Sequence, residues 1–105
     1  DKVQEYREKN LPLLRKVLEK FNITWNEPPH GLFGAFKLPH GINAMDFVDR
    51  ECKQYGVLMV PGNMFEPGLD EWIRVAWSIE PLLFAKAVIN LEKALFLAIS
   101  QKTSQ

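Results

Sequence analysis

Apolar residues recur at helical spacing in three stretches of the chain, at its start, in its middle and at its end. This pattern predicts helices over residues 2–21, 44–55 and 81–99. Pro12 lies inside the first of them. Because proline lacks an amide proton and its ring crowds the preceding turn, this helix must either kink there or split after Asn10. We expect a kink.

The residues that flank the second and third stretches predict where those helices begin and end. Asn43 is expected to cap the middle helix, with the negative charge of Asp46 in its first turn, and Gly56 to end it. Ser78 is expected to cap the last helix, with Pro81 in the first turn, where proline is tolerated. Apolar residues occupy more of the surface of the last helix than the single stripe that a surface helix buries. This pattern predicts that the helix has neighbours on two sides.

Four short runs between the helices are candidates for strands. They are an apolar piece around Ile23 and Trp25, "LFGAFKL" at 32–38, "VLMV" at 57–60 and "WIRVAW" at 72–77. The order helix, short strand, strand, helix, strand, strand, helix predicts an α+β fold. We expect a small three- or four-stranded mixed or antiparallel sheet, covered by helices on one face. The length suits a single domain over residues 1–105.

Arg74 lies inside the last strand candidate, where a charged residue needs an explanation. Side chains alternate along a strand, so Ile73 and Val75 point to one face and Arg74 points to the other. Arginine is rarely buried unless it is paired, because removing water from a guanidinium is unfavourable. The head group therefore lies in water at the rim, pairs with Asp70 or Glu71, or binds an external carboxylate with its planar fork of donors.

Composition and charge argue against several classes of partner. Thirteen basic and thirteen acidic residues cancel, so no global field would draw the chain to nucleic acid or to an anionic membrane. No apolar run approaches the roughly 18 to 20 residues that span a bilayer.

The single cysteine, Cys52, falls on an apolar helix face and cannot form an internal disulfide. We therefore expect a buried thiol and a cytoplasmic protein.

Candidates for catalytic or metal-binding residues are few. His30 and His40 both lie in loops rich in proline and glycine, and with one distant cysteine they form no recognised metal spacing. We expect exposed loop histidines and no metal. The sequence has no nucleophile elbow, no phosphate-binding loop and no dinucleotide-binding fingerprint. An enzyme that is complete within this chain is therefore not expected.

The motifs around Arg74 resemble those of a known family. "HGLFGAFKLP", a short helix, "GVLMVPGNMFEPG", "WIRVAWS" and a closing helix follow one another as in the C-terminal small domain of class I/II aminotransferases. These are the pyridoxal-phosphate (PLP) enzymes of the aspartate aminotransferase fold, fold type I. "YREKNLPLLRKVLEKF" is similar to the helix that leads into that domain, so the resemblance covers nearly the whole chain. The abrupt start at Asp1 adds to the expectation of a fragment.

The resemblance implies roles for two residues of this chain. Arg74 matches the family's arginine that binds the α-carboxylate of the substrate, and Phe33 matches an aromatic position on the substrate side of the cleft. The resemblance also implies a homodimeric parent in which a large PLP-binding domain joins this one. That parent would transfer an amino group from an amino acid to a 2-oxo acid.

The catalytic lysine of the family is not expected in this chain. It lies in the large domain, typically within Ser-x-x-Lys, and none of the nine lysines here has a serine three residues before it. We expect no catalytic residue and no bound cofactor in residues 1–105, since the groups that hold PLP are also missing. The residues leave one alternative open. The chain could be a free-standing α+β interaction module, or a module that binds a small carboxylate ligand at Arg74.

Overall fold

The computed structural model describes residues 2–23, 25, 27–28, 31–39, 41–55 and 58–103. These residues form three helices and three strands, in the order α1 (Lys2–Lys20), β1 (Phe33–Lys37), α2 (Ala44–Glu51), β2 (Met59–Pro61), β3 (Trp72–Ala76) and α3 (Pro81–Thr103). Short 3₁₀ turns follow α2 and β2, at Lys53–Tyr55 and Gly62–Met64.

The three strands form one antiparallel sheet in the order β1, β3, β2. The central strand, β3, pairs with β1 along its whole length and with β2 from Ile73 to Val75. Burial alternates along β3, so that Ile73 and Val75 are buried while Arg74 between them is partly exposed. The predicted α+β fold with a small antiparallel sheet is confirmed.

The helices cover the face of the sheet that carries Ile73 and Val75. α1 packs along α3, and α2 contacts both α3 and β2. The largest fully buried side chains are those of Trp77, Phe36, Phe84, Leu11, Leu14 and Leu18. Full burial of one large apolar side chain contributes roughly 1.5–3 kcal/mol, so this shared core holds the helices on the sheet.

α3 also carries apolar side chains on an exposed face. Those that remain 46% to 72% exposed are Leu82, Leu83, Ile89, Phe96 and Leu97. Only one side of α3 is therefore covered by the described residues, and the predicted neighbour on its second side stays a prediction. In the part of the chain that the structure describes, none of the helices has the length and hydropathy required to cross a bilayer.

The short strand predicted around Ile23 and Trp25 is wrong, because neither residue is in a strand and Ile23 instead completes the cap that follows α1. The Ile23 amide donates to the Leu18 carbonyl at 2.8 Å, and the Asn22 amide donates to the Glu19 carbonyl at 3.0 Å. Asn22 has a φ of 56°, so the three features together make a Schellman cap. Ile23 is apolar because it packs back onto the core after this cap.

The predictions for the first two helices are confirmed only in part. α1 continues through Pro12, so the helix is not split after Asn10. Asn43 caps α2, since its side-chain oxygen accepts the Asp46 amide at 3.0 Å, as predicted. α2 ends at Glu51, earlier than predicted, and a 3₁₀ turn follows. Gly56, the predicted C-cap, lies outside the described residues.

The predicted Ser78 cap of α3 is wrong, because Glu80 takes that place. Its two carboxylate oxygens accept the amides of Leu82 and Leu83 at 3.0 and 3.2 Å. Pro81 is the first residue of α3, and proline is favoured there because it has no amide proton to satisfy. The position before Pro81 is therefore the one from which a side chain can reach the free amides.

Asn10 ties α1 to the connection between β3 and α3. Its side chain is fully buried, and Nδ2 donates to the carbonyls of Trp77 at 2.7 Å and Ile79 at 3.0 Å. Its Oδ1 accepts no hydrogen bond from the described residues. The amide donor replaces water for one buried and one partly buried carbonyl group, and such groups are costly to bury without a partner.

Candidate functional site

Arg74 lies at the centre of β3, on the face of the sheet that the helices leave open. Its partners across the sheet are Ala35 in β1 and Val60 in β2. Strand alternation places it opposite to the buried side chains of Ile73 and Val75, as the sequence predicts. Its side chain is partly exposed, so an external group can approach it.

Two phenylalanine rings contact the Arg74 guanidinium. Its Cζ lies 4.6 Å from the centroid of the Phe33 ring and 5.2 Å from that of the Phe65 ring. Both distances fall within the range of cation–π attraction, which is worth about 0.5–1 kcal/mol at exposed sites. The structure thus brings together Arg74 and Phe33, the two residues that the resemblance selects, and adds Phe65.

No carboxylate of the described residues lies within 4.0 Å of the Arg74 guanidinium nitrogens. The Glu71 carboxylate instead accepts the Gly41 amide at 3.1 Å. The local ion pair with Asp70 or Glu71 is therefore not formed. The in-plane donors of the guanidinium remain available to a ligand with two acceptor oxygens.

Gly62 fixes the turn that carries Phe65. The amides of Phe65 and Glu66 donate to the Gly62 carbonyl at 3.1 and 3.0 Å. A Cβ at Gly62 would lie 2.6 Å from the carbonyl oxygen of Leu69 and 3.0 Å from the Cβ of Trp72, so only glycine allows this approach. The turn is thereby held against the segment that leads into β3.

Arg7 of α1 holds the segment that leads into β1. Its guanidinium lies 5.2 Å from the centroid of the Trp77 ring and donates to the carbonyls of Pro28 and Gly31, the second at 3.4 Å. The indole Nε1 of Trp77 donates to the same Gly31 carbonyl at 3.1 Å. The chain is therefore fixed just before Phe33 by a helix and by the end of β3.

Glu27 joins the same segment to two arginines of α1. Its carboxylate accepts Nη2 of Arg15 at 2.8 Å and lies 3.7 Å from Nη2 of Arg7. The hydrogen bond from Arg15, helped by the charges of both arginines, lowers the pKa of the Glu27 carboxyl, although desolvation opposes this. The ion pair is partly exposed and positions the loop before β1.

The chain is similar in sequence to part of a curated enzyme, although no family model matches it. An LL-diaminopimelate aminotransferase from Maridesulfovibrio salexigens is 30% identical over 78 residues, which cover 74% of this chain and 20% of that protein. The chain thus spans about a fifth of the length of the curated relatives that it matches.

Solved structures of aminotransferases share the fold. The crystal structure of an archaeal alanine:glyoxylate aminotransferase matches 84% of this chain, and 23% of its own, with a TM-score of 0.67 and 28% identity. The chain is a relative of the fold type I aminotransferases. A valine-pyruvate aminotransferase from Salmonella typhimurium, 20% identical, has the same fold over 93% of this chain and 27% of its own, with a TM-score of 0.75. The resemblance to the small domain of these PLP-dependent enzymes is confirmed.

The described residues do not fit a PLP site of the aminotransferase kind. Such a site needs a lysine in an enclosed pocket to hold the cofactor and polar groups around its ring and phosphate. All eight lysine side chains that the structure describes are exposed.

Cys52 is a core residue, as the apolar pattern predicts. It is fully buried, and burial, with the charge of Glu51 as a smaller cause, raises the pKa of its thiol to about 12. A thiol that stays protonated at neutral pH is a poor nucleophile.

His30 and His40 lie outside the described residues, so the prediction that they are exposed loop residues stays a prediction. Among the residues described, no three of His, Cys, Asp or Glu could hold a metal ion together.

Proposed function

We propose that this chain is the C-terminal small domain of a PLP-dependent aminotransferase and that its Arg74 binds the α-carboxylate of the substrates. The observation that carries the proposal is the environment of the Arg74 guanidinium. It lies on the open face of the sheet, contacts two rings and pairs with no carboxylate of the described residues. A substrate carboxylate would satisfy its charge and its donors together.

The proposed reaction explains why a carboxylate contact belongs in this place. An aminotransferase moves an amino group from an amino acid to a 2-oxo acid, and both kinds of substrate carry an α-carboxylate. A two-pronged contact with Arg74 fixes the bonds at Cα relative to the cofactor, which lowers the entropic part of the barrier. Phe33, whose ring borders Arg74, would line the substrate side of the cleft. The amino-group chemistry itself is supplied by PLP, held in the proposed parent outside residues 1–105.

Two exposed surfaces support a larger assembly. A cleft of about 690 Å³ lies between residues that follow α1, such as Phe21 and Trp25, and the sheet residues Ala35, Lys37 and Trp72. These three sheet residues share the face of Arg74 by strand alternation, but Arg74 does not itself line the cleft. We infer that the large PLP-binding domain covers this open face and closes the substrate against Arg74. The apolar face of α3 is also exposed, and we assign it to contacts within a cytoplasmic homodimer.

The reading frame that precedes Asp1 tests this proposal directly. An extension of about 250 residues that contains Ser-x-x-Lys would support it, because an enzyme of this kind needs a second domain larger than the one described. A start codon immediately before Asp1 would contradict it. That result would favour the alternative, a free-standing α+β interaction module or one that binds a small carboxylate ligand.

A further inference from the structure

We propose that Phe65 is a positioning residue for Arg74. Its ring, together with the ring of Phe33, holds the guanidinium so that the donors along its edge point at an incoming carboxylate. This inference rests on the proposed role of Arg74 in binding the substrate carboxylate. It adds a residue that the sequence places only in a turn.

Phe65 occupies a position that core packing does not explain. It lies in the turn after β2 and is 43% exposed, yet its ring centroid is 5.2 Å from Cζ of Arg74. Phe33 is 50% exposed, and its ring centroid is 4.6 Å from the same atom. An exposed ring gains less from the hydrophobic effect than a buried one. What the two rings share is the contact with the guanidinium.

The two rings reach Arg74 from segments on opposite sides of β3. Phe33 belongs to β1, and Phe65 follows β2, while β1 and β2 flank β3 in the sheet. A guanidinium stacks on aromatic rings through its flat face, whereas its N–H donors lie in its plane. Ring contacts therefore leave the edge of the guanidinium free for the two oxygens of a carboxylate.

Arg74 needs such support because no other described group fixes its direction. Arginine is a long side chain with many rotamers, and no carboxylate of the described residues lies within 4.0 Å of this one. Phe65 can restrain it because the turn is itself fixed. The Phe65 amide donates to the Gly62 carbonyl at 3.1 Å, and Gly62 packs closely against Leu69.

The test uses the 105-residue chain, three variants and pyruvate as the probe carboxylate. Phe65→Leu removes the ring but keeps an apolar side chain, and Phe65→Tyr keeps the ring. Met64→Leu is the matched control, since Met64 is the exposed neighbour in the same turn and makes no ring contact with Arg74. Nitrogen-15 NMR follows the Nε–Hε resonance of Arg74, which Arg74→Lys assigns by its loss.

The proposal predicts a ring-current shift of this resonance in the unchanged chain. Phe65→Leu should reduce that shift and weaken pyruvate binding about two- to fivefold, the range expected for one exposed cation–π contact. Phe65→Tyr and Met64→Leu should keep both the shift and the affinity. Phe65→Met is a second ring-free variant, with the same expected result, in case Phe65→Leu does not fold.

An Arg74 resonance that stays unchanged in a folded ring-free variant would overturn the proposal. So would a Met64→Leu control that moves the resonance as much as Phe65→Leu does. Failure of the proposed function has a different signature. In that case the Arg74 resonance responds to Phe65→Leu, but pyruvate shifts no resonance of the unchanged chain.

Discussion

The guanidinium of Arg74 lies 4.6 Å from the centroid of the Phe33 ring, which comes from the neighbouring strand of the sheet. An arginine in the middle of an apolar strand is usually explained by an adjacent acid. Here the neighbours are aromatic rings, and the nearby Glu71 is used to bind the Gly41 amide. The rings therefore contact the Arg74 guanidinium without neutralising its positive charge, which a site for an anionic ligand requires.

Replacing Glu27 should lower the free energy of unfolding at neutral pH. It should also make that free energy fall less steeply as the pH is lowered. The pKa of Glu27 is lowered in the folded chain, so its contribution to stability is complete above the ordinary carboxyl pKa and is lost as the pH falls through the lowered value. Because Arg15 is 45% exposed, we expect Glu27→Gln to reduce the free energy of unfolding by about 0.2–1 kcal/mol at neutral pH, as measured by urea denaturation.

Glu5→Gln is the matched control for that measurement. Glu5 pairs with Lys9 one helical turn away, and both side chains are more than half exposed. Its loss should change the free energy of unfolding less than the loss of Glu27. An acid dependence that is identical in Glu27→Gln and in the unchanged chain would show that the ion pair contributes nothing.

Asn10→Leu should destabilise the chain by about 1–3 kcal/mol, because it leaves the buried Trp77 carbonyl and the partly buried Ile79 carbonyl without their donor. The free energy of unfolding in urea is the measurement. Asn90→Leu provides the comparison, since Asn90 is only partly buried, donates to the Glu51 carbonyl at 2.8 Å and also hydrogen-bonds the Cys52 thiol. A loss at Asn10 no larger than the loss at Asn90 would contradict this account of α1.

Mixing the chain with PLP should give no saturable, stoichiometric change in PLP absorbance. The described lysine side chains are all exposed, so reaction with PLP should be weak and spread over several of them. A titration followed by absorbance checks this expectation. A one-to-one absorbance band that a single lysine substitution abolishes would show that the chain holds the cofactor by itself.

The sequence pattern predicts the strands of the sheet and the face on which Arg74 lies, because both follow from short periodicities. Alternation along "WIRVAW" separates Ile73 and Val75 from Arg74, and the structure confirms that separation. The cap at Asn43 is also local, since it depends on a side chain and an amide three residues apart. Features of this kind need no knowledge of the tertiary fold.

The features that the pattern misses depend on contacts between distant segments or on backbone geometry. Arg7 and Asn10 look like polar residues of an amphipathic helix, yet they hold carbonyl groups that lie 21 to 69 residues away. Ile23 looks like a strand residue because a Schellman cap, like a strand, ends in an apolar side chain that packs on the core. Phe65 is aligned with Arg74 only once β2 and β3 have paired.

Steady-state kinetics of Arg74→Gln, in the proposed parent aminotransferase, test the central claim most directly. Loss of one charged, hydrogen-bonded contact is worth about 2–5 kcal/mol, which corresponds to a fall in kcat/KM of roughly 30- to 5,000-fold. The fall should be similar for every amino-acid substrate, because all share the α-carboxylate, and the exposed Arg50→Gln should change little. A change in kcat/KM below about twofold, equivalent to about 0.5 kcal/mol, would mean that Arg74 is structural and does not bind substrate.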